Sequence, residues 1–114
     1  MNYFIDRFVR EDRRFATRHA FKTLLRFRIR KSFIPEQRAE TQNLSERGVF
    51  FATKFPLSVG TVVDLLLKMP QQITGRKTTE WRCMGHVVRV VAGTFPEQNL
   101  GVGVEFDFYE ISRA

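Results

Sequence analysis

Two short runs of this sequence carry side chains able to hold a charged, planar ligand. The first is Arg13-Arg14-Phe15-Ala16-Thr17-Arg18. Arg14 and Arg18 stand four residues apart, an offset that keeps both on one side of a helical or an extended segment. A guanidinium is a planar fork of donors matched to phosphate oxygens and to the O6/N7 edge of guanine. Each charge-assisted bond of this kind contributes roughly 1.5–3 kcal/mol when shielded from water. The second run is Asn43-Leu44-Ser45-Glu46-Arg47-Gly48. Asn43 and Ser45 are short hydrogen-bonding side chains at a strand end, suited to a guanine edge or a phosphate oxygen. Gly48 permits a backbone conformation, or a closeness of approach, that a Cβ obstructs. Each run also has a plainer reading: a solvated basic arm for the first, an ordinary turn for the second.

The charge pattern favours an anionic ligand. The 114-residue chain has a formal net charge of +7. Residues 7–38 hold eleven Lys and Arg against three acidic residues, while the rest of the chain holds eight basic and nine acidic residues. Clustered charge of one sign raises the local concentration of anions. Nothing comparable points to catalysis. Cys83 is the one cysteine, which excludes an internal disulfide and zinc-type cysteine spacing. His19 and His86 lie far apart in sequence, without acidic or Cys companions at metal or triad spacing. No nucleophile–base pair and no phosphate-binding glycine loop occurs. The chain is therefore expected not to be an enzyme and to need no metal or cofactor. No apolar run reaches the length of a membrane span, and the N-terminus lacks the layout of a secretory signal. A cytoplasmic location with no membrane partner is the expectation.

The elements that would position these runs read as β-structure. Hydrophobic residues make up 43% of the chain and charged residues 27%, an ordinary globular composition. In residues 20–30, Phe21, Thr23, Leu25, Phe27 and Ile29 alternate with Lys22, Leu24, Arg26, Arg28 and Arg30, the two-residue period of a half-buried strand. Further strands are expected over 38–43, over 49–53 as a buried strand, and over 62–68, 80–91 and 101–106. The turns between them carry Gly48, Pro56, Gly60, Pro70 and Gly75. Imperfect alternation around Gly85 predicts a bulge or a close backbone approach. Phe4, Ile5 and Phe8 suggest a short helix over 2–12, and 107–114 suggests a terminal helical turn. Trp81 is expected to pack in the core or at its rim rather than stack on a base, and Cys83 to be a buried structural thiol. Six strands at short intervals predict an all-β barrel or sandwich. The resulting division is an N-terminal arm over 1–19, a barrel over 20–106 and a tail over 107–114.

Taken in order, Arg-x-x-x-Arg, a strand, Asn-x-Ser-x-x-Gly and β-rich sequence resemble a PilZ domain. Gly85-His86-Val87-Val88-Arg89-Val90 and Leu100-Gly101-Val102-Gly103-Val104-Glu105-Phe106 resemble the last two strands of that family. Asn43 stands where many members have Asp. The resemblance implies a six-stranded antiparallel barrel whose arm folds over the second messenger cyclic di-GMP. It implies that Arg14 and Arg18 bind phosphates and guanine Hoogsteen edges, and that Asn43 and Ser45 contact a guanine from the barrel surface. Gly48 would shape the turn. Arg13, just before the motif, would influence whether one molecule or an intercalated dimer binds. A partner protein would read the ordering of the arm.

Two rivals keep the barrel and change the ligand. An OB-type binder of single-stranded nucleic acid would need aromatics exposed on a basic sheet face, whereas most Phe here alternate inward. A PilZ-like scaffold that binds only protein would lack the motif pair. DNA and RNA are therefore not expected as partners.

Overall fold

The two-residue period of residues 20–30 becomes a strand because Leu25 and Phe27 reach the interior while Arg26 and Arg28 stay in solvent. The computed structural model of the chain describes residues 20–92 and 100–111. Its strands are β1 (Leu24–Ile29), β2 (Gln37–Leu44), β3 (Gly48–Thr53), β4 (Val62–Met69), β5 (Thr79–Val91) and β6 (Leu100–Ile111). They close into an antiparallel barrel in the order β1-β2-β3-β6-β5-β4. The all-β, six-stranded expectation holds. The helix expected over 2–12 lies outside the described residues.

All six strands feed one core. Leu25, Phe27, Leu44, Phe51, Val63, Leu65, Val87 and Val102 are buried there. The Phe27 and Phe51 rings meet at 5.1 Å between centroids, a tilted aromatic contact. Cys83 and Trp81 are buried on the inner face of β5, as expected. Burial pushes the Cys83 thiol up to about 12, because a thiolate there would lose its water.

Three local expectations change. The residues between Pro70 and Gly75 form one helical turn, α1 (Gln71–Thr74), rather than a loop. Gly75 ends it with φ 76°, a left-handed conformation natural to glycine, and donates its N–H to the Gln71 carbonyl. The strand over 49–53 is not buried throughout: Val49, Phe51 and Thr53 point inward, while Phe50 faces out. Residues 107–111 are strand, not a helical turn. They continue to pair with β5 as far as Trp81↔Ile111, and Tyr109 stacks on Trp81 at 4.1 Å. Cross-strand hydrogen bonds and that ring contact outweigh any local helical preference. Ser112 to Ala114 lie outside the described residues.

Gly85 meets the close-approach alternative, while the irregularity beside it inserts Asp107 into β6 rather than a residue into β5. The β5–β6 register shifts between Met84 and Gly85, and a Cβ on Gly85 would collide with the Glu105 carbonyl. A second shift, between Val87 and Arg89, and a third in β2, between Thr41 and Asn43, have consequences for the outer surface.

Candidate functional site

Alternation alone would turn Asn43 into the core, in step with Ala39 and Thr41. The β2 bulge prevents this. Gln42 is the extra residue, so Thr41 and Leu44 both point inward and Asn43 faces out, opposite Phe50. The bulge in β5 acts likewise: Val88 is the extra residue, and Val88 and Arg89 both end up exposed. Register then aligns one transverse row on the outer face: Asn43 of β2, Phe50 of β3, Gly103 of β6 and Arg89 of β5. At about 4.8 Å between strands, the row spans roughly 14 Å.

This row lies in a groove of about 340 Å³ whose lining also includes Ser45, Arg47, Gly48, Val88 and Glu105. Gly103 has no side chain to fill the space between Arg89 and Phe50; a Cβ there would sit 3.6 Å from both. The Arg89 guanidinium lies 5.0 Å from the centre of the Phe50 ring, a cation–π contact that holds the charge over an aromatic platform.

The turn between β2 and β3 forms one wall. The Ser45 N–H donates to the Gly48 carbonyl at 3.0 Å, and the Ser45 hydroxyl oxygen accepts the Arg47 N–H at 3.1 Å. The Phe106 N–H donates to the Arg47 carbonyl at 2.8 Å and pins the turn to β6. Ser45 is thus committed to the turn while bordering the groove. Gly48 needs no left-handed backbone; its requirement is closeness, because a Cβ would strike the Val104 carbonyl.

Asn43, Ser45 and Gly48, singled out by spacing, are therefore brought together around one groove. Arg13, Arg14 and Arg18 lie outside the described residues. The stretch that leads to them is anchored close by. The buried Thr41 hydroxyl accepts the Thr23 N–H at 2.9 Å and donates to the Phe21 carbonyl, and the Thr41 N–H donates to the Thr23 carbonyl. Residues 21–23 therefore join the barrel beside β2, two positions from Asn43.

Sequence reading missed Phe50 and Arg89. The signal for Arg89 was the adjacent pair Val87-Val88, which breaks the alternation of β5. His86 also differs from expectation. The fold places Asp107 Oδ2 2.9 Å from its Nδ1 and Glu105 Oε1 3.8 Å from its Nε2. Both companions are supplied across strands by β6, so sequence spacing could not reveal them. All three side chains are partly solvent-exposed. Among the described residues no group of His, Cys, Asp and Glu is arranged to hold a metal ion. None of their helices is long and apolar enough to cross a membrane.

A closed barrel with an open outer groove of aromatic, guanidinium and amide groups defines a binding module. The PilZ domain family matches residues 10–113, and the chain belongs to that family, whose domains are receptor and binding domains. Among solved structures, the chain is similar to Bacillus subtilis inhibitor of motility (MotI/DgrA), with a TM-score of 0.65 and 15% sequence identity. That likeness covers 85% of this chain and 43% of the other, so the chain spans less than half the length of the protein it matches. No curated protein matches the sequence.

Proposed function

We propose that the chain is a receptor for cyclic di-GMP, held between the Arg-bearing segment 13–18 and the outer groove of the barrel. The observation that carries this reading is the convergence of Asn43, Ser45 and Gly48 on one groove beside the root of that segment. Arg18 stands three residues before Phe21, so extended chain allows it at most about 10–11 Å from that anchor. Membership of a family of cyclic di-GMP receptors supports the same ligand.

The ligand carries two phosphate charges and two purine faces. Arg14 and Arg18 take phosphate oxygens and the O6/N7 edge of a guanine, Asn43 takes a guanine edge from the barrel, and Phe50 offers a face for stacking. Arg13 stacks on a second molecule if an intercalated dimer binds. A micromolar dissociation constant corresponds to about −8.2 kcal/mol. Three guanidinium contacts of roughly 1.5–3 kcal/mol each, with stacking, supply this after ordering costs. The ligand crosslinks segment 13–18 to the barrel, and an effector protein reads the composite surface. No bond of the ligand is made or broken.

Calorimetry with cyclic di-GMP tests the reading. The wild type binds at micromolar strength or better, and Arg14→Ala weakens binding by about tenfold or more, ~1.4 kcal/mol. Equal heats from the two proteins would end the assignment.

A further inference from the structure

The loop joining β1 to β2 presents an aromatic side chain to solvent for which the ligand groove has no use. Phe33 is fully exposed at its tip, and Ile34 beside it is 38% exposed. Isolated apolar residues are common on surfaces, but this pair has company. Val59 and Val62 are exposed at the same end of the barrel, and the Val62 carbonyl accepts the Arg30 N–H at 3.0 Å. Among the described residues, four of the nine large exposed hydrophobic side chains therefore lie at one end.

Around this apolar tip Arg28, Arg30 and Lys31 outnumber Asp64 and Glu36, and Glu36 is held by Arg26 at 3.8 Å. Arg28, Arg30, Lys31 and Phe33 line one shallow groove with Asp64. Asp64 pairs with Arg30 at 2.9 Å, which leaves Arg28 and Lys31 without an acidic partner among the described residues. The tip has a defined shape. Lys31 sits at φ 58°, a left-handed conformation uncommon outside glycine, and the Ser32 hydroxyl oxygen accepts the Ile34 N–H at 2.9 Å.

We propose that this tip docks on an anionic lipid surface, with Phe33 and Ile34 at the headgroup–acyl boundary and Arg28 and Lys31 against lipid phosphates. An apolar projection ringed by basic side chains is the arrangement that binds a charged bilayer interface. A bilayer receives a convex projection without a preformed pocket, whereas a protein partner needs a matching concavity. The docking is peripheral and needs no membrane-spanning segment. Strand β2 separates the tip from the β2–β3 turn; its eight residues extend roughly 26 Å. The Asn43–Ser45 end of the groove is thus remote from the tip, while its Val88–Arg89 end lies nearer to Val59, next to the Gly60–Val87 hydrogen bond.

The test is sedimentation of the full chain with vesicles of phosphatidylglycerol and phosphatidylcholine, against vesicles of phosphatidylcholine alone. The chain is expected to sediment with the anionic vesicles and not with the neutral ones. The double variant Phe33→Ser/Ile34→Ser is expected to bind them about fivefold or more weakly, and Lys31→Glu similarly. These side chains are exposed, so an unchanged Tm confirms that the variants fold. Failure of the wild type to sediment with anionic vesicles would overturn the proposal and leave the tip to a protein partner. Unchanged sedimentation of the double variant would also overturn it, by moving lipid binding to the basic residues 7–18.

Discussion

Arg89 illustrates how a single side chain acquires a role from its surroundings. On β5 it is one of two exposed arginines, and only the bulge at Val88 sets it over Phe50 and beside the space above Gly103. An exposed cation–π contact is worth roughly 0.5–1 kcal/mol, and a ligand phosphate or purine adds to that. Arg89→Ala is therefore expected to weaken cyclic di-GMP binding by about three- to tenfold in calorimetry. Arg82→Ala, on the same strand but outside the groove, should leave binding unchanged. If both substitutions act alike, Arg89 contributes only through general charge. Ser45 shows that two readings of one residue need not exclude each other. Its hydroxyl oxygen accepts a turn N–H, as its composition suggested, and the turn it fixes is a wall of the groove.

At the scale of the strand, two glycines facing the same groove have opposite tolerances. Gly48 lies so close to the Val104 carbonyl that a Cβ would collide with backbone. Backbone on a paired strand cannot step aside, so β3 and β6 would have to part. Gly48→Ala is expected to cost about 1–3 kcal/mol in urea unfolding. At Gly103 a Cβ would meet side chains at 3.6 Å, ordinary contact distance. Gly103→Ala should leave stability within about 0.5 kcal/mol of wild type while weakening ligand binding by filling the groove floor. Equal destabilisation by both would contradict the register that pairs Gly48 with Glu105 and Gly103 with Phe50. The bulges belong to this scale too. Each inserts one residue, and each reverses the face of everything after it on that strand.

Across the whole molecule, barrel closure separates an apolar interior from an exterior that carries the candidate groove and the exposed Phe33 loop. The interior encloses Cys83, whose thiol burial pushes up to about 12 from 9.0. Between those values the unfolded chain releases a proton that the folded chain retains. The stabilisation is thus complete below about pH 9 and is lost as pH rises toward 12, with a slope of up to about 1.4 kcal/mol per pH unit. Unfolding free energies of wild type and Cys83→Ala are expected to converge by this amount over that window. Parallel pH profiles would show that the thiol ionises alike in both states. Outside, the candidate groove and the groove beside Phe33 share no lining residue.

The alternation of apolar and polar residues was enough to specify strands, their inward faces and an all-β barrel or sandwich, because a period of two is a property of one strand by itself. Residue type and spacing, which are equally local, marked Asn43, Ser45 and Gly48. This local reading misjudged residues 107–111, whose extended form depends on β5 lying beside them. It could not find Phe50, Arg89 or the acidic neighbours of His86. Those depend on which strands pair, in what register, and where an extra residue shifts that register. Hydrogen bonding between strands distant in sequence decides all three, and only the closed barrel brings them into being.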